Sequence, residues 1–338
     1  MKKLIPALLI AFILIGCSPK KATKVDSHLL YTQAAQTVFV KMTAASVLTP
    51  SVTTTFTPVP TATTTLTPVP SPTQIPATPT WLAMQPGKIS APIFLYYRIA
   101  GSAQDDPNYQ WDSMYYIPPA TFQTQLQMLK SAGYSSMTVA QLANAVRKGG
   151  NVPPKPFVIT FDSAAVSIYT KAFPIMKELG YVGTVYAVVT QIDGGGMMTL
   201  NQIKELIAAG WEIGTKGMTA FNVIQNPDQA GYEISTSRTE LTKKIGVEVT
   251  SYTYPGGITN DIINGNRISG WGFLSAVGIG RSSDINSNNL FYLPRYEMRK
   301  DTNYTTFASY LPVAPTWIPT EIPTATTVPT GAAVPTAQ

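Results

Sequence analysis

Threonine and proline set the outer limits of what this chain can fold into. Residues 49–80 and 315–338 are built largely of Thr, Pro, Val and Ala. Proline fixes φ and removes a backbone donor, so neither tract can supply a packed core. The first tract contains an echo in which Thr55-Phe56-Thr57-Pro58-Val59-Pro60 returns as Thr65-Leu66-Thr67-Pro68-Val69-Pro70. Such a run reads as an extended spacer that, at about 3.1 Å per residue, reaches on the order of 100 Å. Dense threonine beside proline is also the composition of O-glycosylated stalks. Of the 338 residues, roughly 220 remain for a core, the size of one α/β domain.

The expected organisation is a signal segment at 1–17, a stalk and Thr/Pro linker at 18–90, a folded domain at 91–313 and a tail at 314–338. Met1-Lys2-Lys3 precedes an apolar run over residues 4–15, the charged and hydrophobic parts of a secretory signal. The run is short for a bilayer span, although a marginal transmembrane anchor is the other reading. Its end, Leu14-Ile15-Gly16-Cys17, resembles a bacterial lipobox, which implies that Cys17 is lipidated and becomes the first mature residue. The membrane is then a partner through Cys17, and the expected location is extracytoplasmic, as an anchored lipoprotein at the bacterial cell surface.

Two scarcities narrow the chemistry. Cys17 is the only cysteine and His28 the only histidine, so one mature chain can build no disulfide, no cysteine metal site and no Ser-His-Asp triad. His28 lies in the stalk and reads as a solvated side chain. Part of the formal net charge of +6 sits in the basic amino-terminal segment. No Lys/Arg run interleaves with aromatics, so nucleic acid is not an expected partner.

Between the tracts, strand and helix patterns alternate. A strand is expected over 92–97. Phe122, Leu126 and Leu129 mark a helix opened by Pro118-Pro119 and stopped at Gly133, and a second helix runs from Thr138 to Gly149. A strand to Asp162 follows, then a helix over 168–179, a strand over 184–189, a helix over 200–210 and a short strand at 211–214. Residues 261–267 read as helical, 271–279 as a strand entrance and 291–298 as the last strand. This alternation predicts a parallel sheet covered by helices with right-handed crossovers.

The strand over 155–163 ends in Thr160-Phe161-Asp162-Ser163. An apolar, β-branched run of this kind delivers one carboxylate to the carboxyl edge of a sheet, where ligands gather in α/β folds. Six segments in order, containing Tyr96-Tyr97, Phe122 to Tyr134, Phe157 to Ser163, Trp211 to Thr219, Tyr252 to Gly257 and Leu293-Pro294-Arg295, resemble the NodB-type polysaccharide deacetylases, the carbohydrate esterase 4-like family. The resemblance implies a distorted (β/α) barrel, removal of N-acetyl groups from amino-sugar polymers, and an amino-sugar polysaccharide or peptidoglycan-like glycan as partner.

The same resemblance assigns roles. Asp162 takes the position of the catalytic base. The family holds a divalent metal such as zinc with a second Asp and two histidines, positions occupied here by Ser163, Lys216 and Ala220. Lysine cannot accept, and serine and alanine are poor or null zinc ligands, so no cofactor is expected. Without a metal the nucleophile remains ordinary water and the Lewis-acid contribution is lost. Tyr97, Tyr254, Pro255, Gly256 and Arg295 fall at substrate-groove positions. Tyr252 to Gly257 is equally readable as a strand end with a tight Pro-Gly turn, and Arg295 either neighbours Asp162 or is a surface cation. Lys216 either pairs with Asp162 as a fixed positive charge or snorkels to solvent. Trp111, Tyr115 and Tyr116 either stack on sugar or pack under their loop. Three functions follow: an impaired glycan-binding homologue, a hydrolase using Asp162 with an atypical or absent metal, and an adaptor module on a stalk.

Overall fold

The structure, a computed structural model, describes residues 80–260 and 263–319. The lipobox with Cys17, His28, the stalk, nearly all of the first Thr/Pro tract, Asp261, and the tail from 320 lie outside the described residues.

Eight strands among the described residues form the main sheet: β1 (Ile93–Tyr96), β2 (Ser135–Met137), β3 (Pro156–Asp162), β4 (Thr184–Ala187), β5 (Glu212–Thr215), β6 (Ser251–Thr253), β7 (Ser275–Val277) and β8 (Tyr296–Glu297). Their order is β7-β6-β5-β4-β3-β1-β8, with β2 also paired to the start of β3, and every pair is parallel. The last segment closes the ring. Val277 bridges Leu293, the Gly280 amide donates to the Arg295 carbonyl, and at the next residue β8 begins to pair with Phe94 and Leu95 of β1. The result is the parallel sheet that the alternating pattern predicts, curled into the distorted (β/α) barrel that the family resemblance implies.

The sheet's period of two separates its faces. Phe157, Ile159 and Phe161 of β3 pack outward with helix residues such as Phe122, Leu126, Ile168 and Met176. Val158 instead meets Ile93, Tyr186 and Val277 from other strands inside the ring. Thr160 and Asp162 share its inward parity, so the carboxyl end of β3 aims a carboxylate into the barrel mouth.

The helices carry conventional signals. α1 (Pro119–Ser131) begins with proline and buries Phe122, Leu126 and Leu129 at helical spacing. α2 (Val139–Lys148) and α4 (Leu200–Ala208) each open with a Thr-x-x-Gln capping box, Thr138 with Gln141 and Thr199 with Gln202. The helix expected over 168–179 begins as a π-helical turn, Ile168–Ala172, and continues as α3 (Phe173–Glu178). α5 (Ser237–Ile245) follows a π-helical turn at Gly231–Thr236 and was not predicted from the sequence. The helix expected over 261–267 is displaced: Asn264 caps α6 (Gly265–Gly270). α7 (Tyr304–Ser309) lies beyond the last strand. Ordered pairing also begins upstream of residue 91, where Leu82–Met84 runs antiparallel to Gly150–Val152.

Candidate functional site

β3 brings Asp162, β5 ends one residue before Lys216, β6 supplies Thr253, and the closing segment supplies Arg295. These four converge. Arg295 donates from Nη1 to Asp162 Oδ1 at 2.6 Å and from Nη2 to Oδ2 at 3.2 Å, a bidentate pair. Arg295 is fully buried, and its other donors are used as well: Nε to the Gly278 carbonyl at 2.8 Å, Nη1 to Thr160 Oγ1 at 3.2 Å and Nη2 to Thr253 Oγ1 at 2.9 Å. The Thr253 hydroxyl in turn donates towards Asp162 at 3.3 Å. Lys216 Nζ lies 3.5 Å from Asp162 Oδ2 and is only slightly exposed. Of the two readings of Lys216, the geometry selects the ion pair; of the two readings of Arg295, it selects the partner of Asp162.

Burial by itself raises the pKa of the Asp162 carboxyl, but Arg295 and then Lys216 outweigh that effect and hold it below the ordinary carboxylate range. A carboxylate with both oxygens engaged by a guanidinium is a weak proton acceptor. The arrangement is therefore an ion cluster poised to present charge, with Lys216 as its outermost cation.

Tyr97 sits over this cluster. Its ring lies 5.7 Å from Lys216 Nζ, and its hydroxyl donates to Glu297 Oε1 at 3.0 Å. Burial first, then the negative charges of Asp162 and Glu297, push the phenol far above its usual value, so it remains a neutral donor. Tyr115 packs edge-on against Tyr97 with centroids 4.7 Å apart. The loop carrying Tyr115 is firmly tied: buried Asp106 accepts from Arg98 at 2.7 Å, Ser167 at 2.8 Å and the Asn108 amide at 2.9 Å. Lys300 donates to the carbonyls of Met114 and Trp111. From this anchored loop Trp111 projects with 77% of its surface exposed, whereas Tyr116 is buried and donates to the Asn108 carbonyl.

The remaining expected residues divide. Ser163 follows Asp162 with φ of +75° and Ala220 has φ of +64°, left-handed conformations unusual for residues with a Cβ. The groove position assigned to Tyr254 needs correction for its side chain: the ring is 1% exposed, packs on Tyr252 and Tyr292, and donates to the Phe291 carbonyl at 2.8 Å. Pro255 is likewise buried. Gly256, with φ of +73°, is the exposed member of that turn. Thr160, Thr253 and Glu297 were missed by sequence reasoning. Thr160 shares inward parity with Asp162, and Thr253 alternates with the outward-packed Tyr252 and Tyr254; that parity is the one signal that marks them.

A sequence model of the family described as polysaccharide deacetylase matches residues 149–268, which hold β3, β5 and β6 with Asp162, Lys216 and Thr253. Over these residues the barrel resembles the polysaccharide deacetylase family. YxkH of Bacillus subtilis strain 168, whose name assigns it provisionally to the polysaccharide deacetylases, is 23% identical over 137 residues, covering 40% of this chain and 45% of that protein. The poly-β-1,6-N-acetyl-D-glucosamine N-deacetylase of Escherichia coli K12 is 36% identical over 61 residues, 18% of this chain and 9% of that enzyme. The chain thus spans less than half the length of these curated relatives. Among solved structures, the Streptococcus pyogenes deacetylase PplD in complex with acetate superposes with a TM-score of 0.57 at 21% identity, over 69% of this chain and 99% of PplD. BC0361, a polysaccharide deacetylase from Bacillus cereus, gives 0.57 at 20% identity, over 66% of this chain and 69% of its own. These likenesses establish the fold.

The divalent metal associated with polysaccharide deacetylases does not fit the residues present here. At the three ligand positions Ala220 has no donor atom, Ser163 offers a neutral hydroxyl, and the Lys216 ammonium lies against the retained carboxylate. Arg295 takes both oxygens of Asp162. A cation placed there meets two fixed cations, and among the described residues no group of three or more His, Cys, Asp or Glu side chains gathers elsewhere.

Proposed function

We propose that this chain is a glycan-binding polysaccharide deacetylase homologue without family-type turnover, carried outside the cytoplasm on a Thr/Pro spacer and tethered through lipidated Cys17. The observation that carries this reading is the Lys216 ammonium 3.5 Å from Asp162, with Ser163 and Ala220 at the other two positions that the resemblance assigns to metal ligands. The family position of the general base is occupied by a carboxylate locked in an ion cluster, and an ammonium replaces a metal ligand. Trp111 and Tyr115 on their anchored loop supply aromatic faces suited to sugar rings. The Escherichia coli relative, named for poly-N-acetylglucosamine, supports an amino-sugar polymer as ligand.

The test pairs metal analysis with assays of the purified chain. Deacetylation of chitin-like and peptidoglycan-like substrates is measured with and without zinc, and retention on the same glycans is measured by pull-down. The expected result is retention that falls on Trp111→Ala, with neither stoichiometric metal nor zinc-dependent product. Stoichiometric metal with metal-dependent product refutes the loss of turnover. Absence of retention on every glycan refutes the binding role.

A further inference from the structure

Outside the Asp162 cluster, a cavity of about 530 Å³ opens between the residues following β7, the last strand and α7, with Arg281, Tyr296, Glu297, Arg299, Asp301 and Tyr310 in its wall. Its chemistry is specific. Tyr296 and Tyr310 stack with centroids 4.5 Å apart and planes 21° from parallel, forming a rigid aromatic wall. Arg281 is exposed and has no hydrogen-bond or ion-pair partner among the described residues. Arg299 Nε is a buried donor without a hydrogen bond, its nearest carboxylate oxygen, Asp301 Oδ1, standing at 3.5 Å. The ion pair leaves this N–H without a hydrogen-bond acceptor, which a bound carboxylate supplies.

We propose that this cavity binds a carboxylate-bearing sugar unit of the glycan. The proposal rests on the glycan-binding reading above and adds the charge of the ligand. A guanidinium matches a planar carboxylate through two parallel donors, the stacked tyrosines suit the face of a pyranose ring, and the volume is in the range of small-ligand sites. A neutral N-acetylhexosamine leaves Arg281 without an anion and Arg299 with only the Asp301 carboxylate at 3.5 Å. Glu297 stands at the junction with the barrel mouth, lining this cavity while its Oε1 accepts from Tyr97. One glycan chain then places its acidic unit here and a neighbouring unit over Tyr97.

Calorimetric titration of the full chain at low and high salt tests this with three probes: an N-acetylglucosamine oligosaccharide, an oligosaccharide of equal length alternating N-acetylglucosamine with glucuronic acid, and free glucuronate with acetate as its control. The expected result is that the acidic oligosaccharide binds about tenfold tighter than the neutral one at low salt, the size of effect expected of a charge-assisted pair. That preference should shrink with salt and disappear in Arg281→Gln and Arg299→Gln, with neutral-glycan binding unchanged. Equal affinity for the two oligosaccharides, or a preference that survives both substitutions, overturns the proposal and leaves the glycan reading intact. Glucuronate binding without oligosaccharide binding supports the cavity and refutes the groove reading. Acetate binding as tightly as glucuronate overturns the sugar assignment, and no binding to any probe overturns both.

Discussion

Replacing Asp162 by asparagine should destabilise this domain, the opposite of what is common when a catalytic carboxylate is neutralised. In the folded protein Arg295 is fully buried and draws its only full counter-charge from Asp162, through contacts of 2.6 and 3.2 Å. Asp162→Asn keeps the volume and leaves Arg295 its neutral acceptors: the Gly278 carbonyl at 2.8 Å, Thr253 Oγ1 at 2.9 Å and Thr160 Oγ1 at 3.2 Å. The guanidinium stays charged, so the loss is that of a buried pair with one partner removed, about 3–5 kcal/mol. For a domain of this size about 2–4 °C accompanies each kcal/mol, so Tm should fall by roughly 6–20 °C. Lys216→Met provides the internal comparison. Its ammonium is 3.5 Å away at the edge of the cluster, while Arg295 makes the two direct contacts, so its removal should cost less than the loss of Asp162. Urea unfolding followed by circular dichroism, with thermal melts alongside, measures both. An Asp162→Asn variant within 1 kcal/mol of the parent, or a Lys216→Met variant equally destabilised, refutes the view of Asp162 as a structural anion held chiefly by Arg295.

Three further outcomes follow from the same geometry. Because Asp162 is depressed below its ordinary value in the fold, its stabilising contribution is present above the unfolded pKa of about 3.9 and is lost as pH falls through the folded value; pH-dependent melts should show an acid limb that flattens in Asp162→Asn. Glu212 behaves in the opposite sense: burial dominates the hydrogen bonds it accepts and raises its pKa, so its contribution is fully present below the unfolded value of about 4.3 and declines as pH rises through the folded one, a decline that Glu212→Gln should remove from the same melts. Gly214→Ala should cost about 1–3 kcal/mol by overpacking, since a Cβ there stands 2.5 Å from Tyr186 Cε1 and 2.6 Å from Ser251 Oγ; denaturant unfolding reads it directly.

Much of the barrel was legible because its strongest strand is unambiguous. β3 is buried at all seven residues, and its β-branched, aromatic run ends at the carboxylate that organises the mouth. The capped helices were legible for the same reason, since Thr138 and Thr199 act within a few residues of themselves. α5 was not, because Ser237-Arg238-Thr239-Glu240-Leu241-Thr242-Lys243-Lys244-Ile245 shows only Leu241 and Ile245 as apolar anchors, too few to mark a helical stripe. β2 is three residues long, too short for alternation to register. At the site, the partnership of Lys216 with Asp162 was foreseeable as one of two readings. Arg295 beside Asp162 was likewise one of two readings, carried by the family resemblance; the residue pattern alone does not show it, because 133 residues separate the two and only barrel closure brings them together. Tyr254 misled for a related reason: a tyrosine at a strand end faces in or out according to a register that single sequences leave open.

That closure makes the ring-closing segment do two jobs at once. Leu293, Arg295 and the β8 residues bridge β7 to β1 while delivering the guanidinium to Asp162. Until these residues are available, the sheet has two unpaired edges and the mouth holds an acid with no buried counter-charge from Arg295. The earlier strands pair with one another, but the ring among them is completed by residues made after every other strand. An elongating chain stays open until the segment through 297 has emerged, then gains ring closure and charge neutralisation in a single step. Chains ending before Arg295 should accumulate as protease-sensitive species, and chains ending after α7 should resist.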